Sequence, residues 1–390
     1  MTQPTPSETP VPRSGVSLRL AGMSDVGITR DHNEDSFAFL DLSSGQTHAD
    51  VSDGTIDVGL RGVVLVVADG MGGAAAGEIA SEMAVEAVLD TFRAQWMQGV
   101  GRDTDTFVET IRDAADTANH RIFAYAGAHP EHAGMGTTAT IAGLLGNSLY
   151  LAQVGDSRAY IVRDGTAQQI TKDQSLMQQL IEAGEMTPDQ AEVSERRNII
   201  LQALGPDSTV RPDFTQQPLA RGDTLVLCSD GLSGLVRAPE IARTATEEQD
   251  VRSICKRLID RANQLGGPDN ITVIAARFDG DALRDSGNGD SFGYNSFPLA
   301  GTLNDDARKP LPPAREARAT LRSDPTPKRG TPMPSRAILD ESAGTREDHA
   351  LLGAPEPVVE ERRRAVQPVF LVLGVIAFLP ISWFLFALFG

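Results

Sequence analysis

The sequence is poor in cysteine, histidine and aromatic residues. Its 390 residues include two cysteines and six histidines, and aromatic side chains make up 5% of the chain. Two cysteines are too few for a disulfide framework or an all-thiolate zinc site, and they favour a reducing compartment. The chain also starts without an apolar run behind basic residues, so its beginning does not resemble a signal peptide. Because residues 1–15 are rich in Pro, Thr and Ser, we expect a disordered tail there.

Basic residues are scarce relative to acidic ones. The chain has 35 Lys and Arg against 53 Asp and Glu, which gives a formal net charge of −18. Such a balance argues against unaided binding to nucleic acid, whose phosphates need a basic surface. If the substrate is an anion, something other than the overall charge must attract it, and a divalent cation held by carboxylates would do so.

Residues 16–279 have the apolar patterning of a folded domain. Val63–Ala68 is a continuous apolar run bounded by glycine, which predicts a buried strand. Apolar residues at helical spacing predict helices around 85–92 and 108–122, and further strands are predicted over 138–145, 148–154, 159–163, 224–229 and 271–278. Strands in antiparallel succession with grouped helices are typical of an α+β domain.

The rest of the chain predicts a linker and a membrane anchor. Residues 280–365 are rich in proline and charge without an apolar period, so we expect a disordered linker. Within 366–390, Val369–Phe389 contains 21 residues and no charge, and at about 1.5 Å per residue it matches a hydrocarbon core of about 30 Å. Arg362, Arg363 and Arg364 precede it, which predicts a single-pass protein whose part before the span lies in the cytoplasm. The alternative is a buried core helix.

Several short segments place an acidic residue beside a glycine at the predicted end of a strand. Asp69 and Asp230 each follow an apolar strand, and Asp269 directly precedes another. Each segment alone is also a common turn sequence. If the strand ends meet at one edge, however, the carboxylates would repel one another unless cations neutralise them. Oxygen ligands with few histidines favour Mg²⁺ or Mn²⁺ over zinc.

The ordered set of these segments resembles a known family. Residues from about 16 to 279 are similar to the bacterial metal-dependent protein serine/threonine phosphatases of the 2C type. The resemblance rests on motifs that occur in the family's order: Ser24–Gly27, Arg30–Asp35, Ala68–Gly73, Met135–Thr140, Val154–Tyr160, Cys228–Leu232 and Gly266–Thr272. It implies a β-sandwich of two antiparallel sheets flanked by helices, with metal ions at one edge.

The resemblance also implies roles for individual residues. Asp69 is expected to bridge two Mn²⁺ or Mg²⁺ ions, and the Gly70 carbonyl to bind the second. Asp230 and Asp269 are expected to bind the first ion, and Asp156 a weaker third ion. Glu34 and Asp35 resemble the acidic pair that contacts metal-bound water or the metals, and Arg30 the arginine that binds phosphate. All these positions match the family's motifs, and Arg30 and Asp35 are the predicted catalytic residues.

This chemistry needs no protein nucleophile. The family's two ions share a hydroxide that attacks phosphorus in line, while the ions and Arg30 stabilise the phosphoryl charge. The implied partners are phosphorylated proteins, mainly membrane-associated serine/threonine kinases and their substrates, acted on by a monomeric catalytic domain. Two positions depart from relatives: Met71 replaces a histidine of some eukaryotic members, and Gln174 stands where a histidine is common. Leu176–Leu204 resembles the family's flap segment.

Three other functions were weighed against this one. A cysteine phosphatase is suggested by the C-x₅-R spacing of Cys255 and Arg261, but that segment has no glycine to form a phosphate loop. A catalytically dead binding module would be expected to lose carboxylates that this chain keeps. A nucleotide-binding loop over Gly70–Gly77 lacks the lysine of the phosphate-loop motif.

Overall fold

The computed structural model of the chain describes residues 13–48, 51–72, 76–99, 103–287 and 292–297. The N-terminal tail up to residue 12, most of the predicted linker and all of the predicted anchor 366–390 lie outside these ranges. Within them, no helix is both long enough and apolar enough to cross a membrane. The predicted membrane helix Val369–Phe389 is outside the part of the chain that the structure describes.

The described part of the chain is a mixture of strands and helices. The strands, in chain order, are β1 (Arg13–Asp25), β2 (Asp35–Asp41), β3 (Thr47–His48), β4 (Val51–Gly59), β5 (Val63–Met71), β6 (Gly136–Thr137), β7 (Ala139–Leu145), β8 (Ser148–Val154), β9 (Arg158–Arg163), β10 (Thr166–Gln169), β11 (Asp213–Pro218), β12 (Thr224–Cys228) and β13 (Ile271–Asp279). The α-helices are α1 (Ala76–Thr91), α2 (Thr104–Ala128), α3 (Leu176–Glu182), α4 (Pro188–Glu192), α5 (Asp230–Ser233), α6 (Ala238–Glu247) and α7 (Val251–Gln264). A π-helical turn, Phe92–Met97, extends α1, and a 3₁₀ turn, Pro130–His132, follows α2.

The strands form two antiparallel sheets. In the described residues, the first sheet has the order β10-β9-β12-β13-β1-β4, and the second has the order β11-β8-β7-β5-β2-β3, with β6 paired to β5. Neighbouring strands pair antiparallel throughout. Helices α1 and α2 pack on the second sheet, and α6 and α7 pack on the first. The predicted fold, two antiparallel sheets flanked by helices, is confirmed.

The packing of β5 explains why the run Val63–Ala68 is apolar at every position. Side chains alternate between the two faces of a strand. Leu65 and Val67 therefore face the core between the two sheets, while Val64 and Val66 face the core beneath α1 and α2. Because both faces are covered, alternation of polar and apolar residues is absent, and the strand carries Asp69 from the interior to the end of the sheet.

The predicted elements agree closely with the observed ones. The hairpin at Gly146–Asn147 joins β7 and β8, and the next turn, at Asp164–Gly165, joins β9 and β10. The flap segment consists of α3 and α4, and the second helix begins with a capping box at Thr187, as the Met186-Thr187-Pro188 sequence indicates.

The ordered domain continues past residue 279, where the sequence analysis ended it. Residues 292–297 run beside β11: the Gln216 amide donates to the Asn295 carbonyl at 3.0 Å, and the Phe297 amide donates to the Phe214 carbonyl at 2.7 Å. The Phe292 ring lies 4.8 Å from the guanidinium carbon of Arg163. The proline-rich composition of the linker concealed these few aromatic residues, whose burial holds the segment on the domain.

Candidate metal centre

Carboxylates from separate segments meet at one end of the two sheets. Asp69 lies in β5, and its Cα partner on the neighbouring β2 is Asp35. Asp230 begins α5 directly after β12, and Asp269 precedes β13, which pairs with β12. The Ser229 hydroxyl joins the two sheets here, because it donates a 2.7 Å hydrogen bond to Asp35 Oδ2. The structure therefore brings together strand ends that the sequence could only suggest were close.

Gly70 is packed too tightly for any side chain. A Cβ at this position would lie 2.1 Å from the Gly77 carbonyl oxygen and 2.5 Å from that of Glu34. The Gly70 amide donates to the Glu34 carbonyl at 3.1 Å, and the Glu34 amide donates to Asn270 Oδ1 at 2.8 Å. Glycine is needed because three segments approach one another through their backbones. These contacts fix Glu34 beside the end of β5.

Burial and mutual repulsion raise the pKa values of the carboxyl groups. Burial raises the pKa of Asp35 to about 7; hydrogen bonds from Ser229 and Thr272 oppose the increase, and the charges of Asp230 and Asp269 add to it. Each carboxylate therefore disfavours ionisation of its neighbours, as expected for like charges in a buried site.

The same two causes act on the other acidic groups of the site. Burial, and then repulsion from Asp35, holds the pKa of Asp69 well above its usual range. Burial and the charge of Asp230 do the same to Asp156. Burial also raises the pKa of Glu34, although His32 and Arg30 oppose the increase. The predicted ligands thus influence one another electrostatically, which requires that they be close together.

The donor set fits hard divalent cations. Asp156 Oδ1 is buried and has no hydrogen-bond partner in the described residues, so a polar atom is directed into the site without compensation. Oxygen donors of this kind are preferred by Mg²⁺ and Mn²⁺. The ligand side chains are not yet arranged around a common point. Among the described residues, no three Asp, Glu, His or Cys side chains are close enough together to hold one metal ion. Asp269 instead pairs with an arginine.

That arginine is Arg30, at the exposed rim of the centre. Its Nη2 atom lies 2.9 Å from Asp269 Oδ1, its Nη1 atom lies 3.9 Å from Glu34 Oε2, and 46% of its side chain is exposed. His32 lies near the same carboxylate, with 3.5 Å between its Nε2 atom and Glu34 Oε1. A cationic group that is exposed and adjacent to the carboxylates is well placed to meet a phosphate that arrives from solvent.

Buried hydroxyl groups connect Asp69 to the loop that carries Asp156. The Thr138 hydroxyl accepts a 3.0 Å hydrogen bond from the Asp69 amide and lies 2.8 Å from the Ser157 hydroxyl. Thr138 and Ser157 are fully buried. Sequence reasoning placed both residues inside matching motifs but assigned them no role. Their place inside motifs that match the family is the signal that could have pointed to them.

Gln174 is a second residue whose role the sequence did not reveal. Its main-chain amide donates a 2.8 Å hydrogen bond to the Gly155 carbonyl, and its side-chain oxygen accepts a 3.0 Å hydrogen bond from the Gly155 main-chain amide. Its Nε2 atom donates to the Arg211 carbonyl at 3.1 Å, and Gln202, in the flap segment, donates to its Oε1 atom at 2.9 Å. Gln174 therefore holds the backbone next to Asp156 and ties it to the end of the flap segment.

Comparison with known proteins agrees with this centre. A family profile described as "Protein phosphatase 2C" matches residues 30–271, more than half of the chain. The chain belongs to the protein phosphatase 2C family. The predicted enzyme class, a protein serine/threonine phosphatase, is confirmed through this membership and through relatives that are named serine/threonine phosphatases.

Two sequence relatives and one solved structure illustrate the similarity. The serine/threonine phosphatase stp of Listeria monocytogenes is 35% identical over 263 residues, which cover 66% of this chain and 94% of the relative. PstP of Mycobacterium tuberculosis is 37% identical over 261 residues, covering 66% of this chain and 45% of the relative. The crystal structure of the catalytic domain of PstP with two manganese ions is 34% identical, with a TM-score of 0.55, and covers 68% of this chain and 99% of that domain.

The two-ion cofactor prediction is confirmed for this phosphatase family, because a relative's structure contains two manganese ions.

The cysteine alternative disagrees with the structure. Cys255 is buried in α7, where its thiol contacts the Ala21 carbonyl, and Cys228 is buried in β12. Burial raises the pKa of the Cys228 thiol to about 12, the opposite of what a thiolate nucleophile requires. Neither cysteine is suited to attack phosphorus.

Proposed function

We propose that this chain hydrolyses phosphoserine and phosphothreonine monoesters in proteins at a centre that binds two Mn²⁺ or Mg²⁺ ions. The observation that carries the proposal is a group of mutually repelling carboxylates, of which Asp35 and Asp156 are buried and Asp69 and Asp230 are half-buried. The neighbouring arginines offset this repulsion only in part: Arg158 lowers the pKa of Asp156 and of Asp230, and Arg30 pairs with Asp269 at the rim, yet the carboxyl pKa values stay raised. A divalent cation would relieve the remaining repulsion.

Each acidic residue has a proposed part in holding the ions. Asp69 would contribute its carboxylate to both ions, the Gly70 carbonyl would bind one of them, and Asp230 and Asp269 would bind the other. Glu34 and Asp35 act from the neighbouring segment, and Asp156 belongs to a weaker third site. When bound, the ions supply a hydroxide nucleophile and Lewis acidity toward the phosphoryl oxygens.

The protein's own groups orient the reaction. Ser229 donates to Asp35 Oδ2 and accepts a 3.0 Å hydrogen bond from the Thr272 amide, so the carboxylate is held in one orientation. Gly70 allows the backbone to approach the centre closely. Arg30, at the rim, binds the phosphoryl group of the substrate, and a guanidinium can contact two phosphoryl oxygens at once.

Arg30 provides a test of substrate binding. Loss of a charge-assisted contact is expected to raise KM for a phosphothreonine peptide about tenfold, with a smaller change in kcat, because the contact exists before the chemical step. The measurement is steady-state phosphate release by Arg30→Ala in the presence of Mn²⁺. Arg93→Ala is the matched control, because Arg93 is also an exposed arginine that pairs with an aspartate, Asp90. Unchanged kinetics in Arg30→Ala would contradict the proposed role.

Asp230 provides the test of the centre itself. Asp230→Asn is expected to abolish phosphate release and to reduce the number of Mn²⁺ ions bound, as counted by calorimetric titration. Phosphopeptide binding without turnover in the wild-type protein, at saturating Mn²⁺, would instead support the binding-module alternative.

We also propose that residues 366–390 anchor the protein to the cytoplasmic face of the membrane, where serine/threonine kinases and their substrates would be its partners. The proposal rests on the sequence: an uncharged segment of spanning length follows three consecutive arginines. A tethered domain would search for phosphoproteins near the bilayer at a raised effective concentration.

A further inference from the structure

Three exposed apolar side chains belong to the two touching segments that carry the proposed phosphate-binding arginine and its partner Asp269. In the described residues, seven large apolar side chains are exposed, and three of them, Val26, Ile28 and Leu265, belong to two segments that contact each other. We call these three residues the apolar rim. Ile28 is the most exposed of them, at 68%. Single exposed apolar residues need no explanation, but a cluster beside a binding site often does.

The apolar rim is built on a tightly held backbone. The Ile28 amide donates to the Gly267 carbonyl at 2.8 Å, and the Val26 carbonyl accepts a 2.9 Å hydrogen bond from Asn270 Nδ2. A Cβ at Gly27 would lie 2.2 Å from the Asp269 carbonyl oxygen, so the two segments touch through their backbones. The exposure of Ile28 is therefore not the result of a loosely held loop.

The same pair of segments carries the charged end of the site. Ile28 contacts Gly267, and two residues further along each segment Arg30 contacts Asp269. The loop that would bind the phosphate through Arg30 therefore also carries an exposed apolar side chain two residues away. A phosphopeptide that enters the centre would extend over its rim, because only the phosphorylated side chain can reach the buried carboxylates.

We propose that the apolar rim binds an apolar side chain of the phosphoprotein substrate, close in sequence to the phosphorylated residue. The inference rests on the proposed function and adds a sequence preference to it. The chain carries a net charge of −18, so acidic residues that flank the phosphorylation site would be repelled. An apolar contact is unaffected by that charge and adds affinity by removing the Ile28 side chain from water.

The test separates contact with the peptide from the chemistry. Its substrates are p-nitrophenyl phosphate and a series of phosphothreonine peptides, in which a single leucine replaces glycine at each neighbouring position in turn. For wild-type protein, at least one leucine position is expected to lower KM about fivefold relative to the all-glycine peptide, which corresponds to about 1 kcal/mol. Ile28→Ser is expected to remove that advantage while leaving the hydrolysis of p-nitrophenyl phosphate unchanged.

Leu60→Ser is the matched control, because Leu60 is also exposed, at 56%, but lies in the turn between β4 and β5. If Ile28→Ser slows the hydrolysis of every substrate alike, Ile28→Ala and Ile28→Leu test the apolar contact instead. The proposal then requires that KM for the leucine peptide falls as the apolar side chain at position 28 becomes larger. Equal KM values for all peptides with wild-type protein would overturn the apolar rim but leave the phosphatase proposal standing. A wild-type protein that hydrolyses no phosphopeptide would instead overturn the proposed function. If Ile28→Ser converts a dimer to a monomer, the rim is an interface between copies, and the proposal is wrong.

Discussion

Replacing Asp69 with asparagine should stabilise the metal-free protein while destroying its activity. Most substitutions inside a folded domain destabilise a protein. Asp69 is different because burial and repulsion from Asp35, Asp230, Asp156 and Asp269 all disfavour its charge. An amide has nearly the same shape and no charge. It can also donate a hydrogen bond to the Asp230 carboxylate, which interacts with the Asp69 side chain in the structure.

The size of the effect can be judged from Asp35, the neighbour of Asp69 in the sheet. The difference between its pKa of about 7 and the ordinary value of 3.8 corresponds to about 4 kcal/mol. Because the folded-state pKa is raised, the contribution of this group to stability is fully present below pH 3.8. It is lost as the pH rises through about 7. Removing one charge from the group should recover part of this loss, about 1–3 kcal/mol at pH 8.

The assay is urea unfolding of the chelator-treated protein at pH 5 and pH 8, repeated with Mn²⁺. Without metal, Asp69→Asn should raise the free energy of unfolding, and more so at pH 8 than at pH 5. With Mn²⁺ at about 100 times its dissociation constant, the wild type should gain about 2.7 kcal/mol, whereas the variant should gain much less. Phosphate release by the variant should be lost under all these conditions.

Asp223 is the control because it is a buried aspartate whose carboxylate is paired with an arginine. Its carboxylate accepts hydrogen bonds from Arg163 Nε at 2.8 Å and from Arg163 Nη2 at 2.6 Å. Asp223→Asn leaves a buried arginine without its counter-charge and should destabilise the protein by about 3–5 kcal/mol, with or without Mn²⁺. If Asp69→Asn destabilises the metal-free protein as Asp223→Asn does, the carboxylates at the centre do not repel one another as argued here.

Three further predictions concern other parts of the chain. The double variant Cys228→Ser, Cys255→Ser should keep phosphatase activity, and a chelator should abolish it; a dead Cys255→Ser protein would favour thiol chemistry. Gln174→Ala should weaken the weakest Mn²⁺ site, that of Asp156, about tenfold in calorimetric titration. The Gln178→Ala control should leave this site unchanged, and equal effects of the two variants would contradict a positioning role. Deleting 366–390 should release the protein from the membrane pellet without changing turnover of a soluble phosphopeptide; retention in the pellet would contradict the anchor.

Local sequence patterns determined the elements of the fold. The alternation of side chains along a strand and their spacing around a helix depend on neighbours only a few residues away. For that reason β5 and the hairpin at Gly146–Asn147 could be predicted with nearly their observed bounds. The ordered motifs also sufficed to predict the family, because each keeps an acidic or glycine residue at a strand end.

Only the tertiary structure decided which groups meet. The Glu34 backbone contacts both Gly70 and Asn270, and no pattern within one segment encodes that three-way approach. The role of Gln174 depends on Gly155, Gln202 and Arg211, which are distant in sequence.

The ordered segment after β13 was missed for a related reason. Its few aromatic residues form no periodic pattern, and their contribution comes from contacts with β11 and Arg163. Sequence periodicity reports which side of an element is buried. It does not report the distance between two charges on different strands, and the pKa values of the centre depend on that distance.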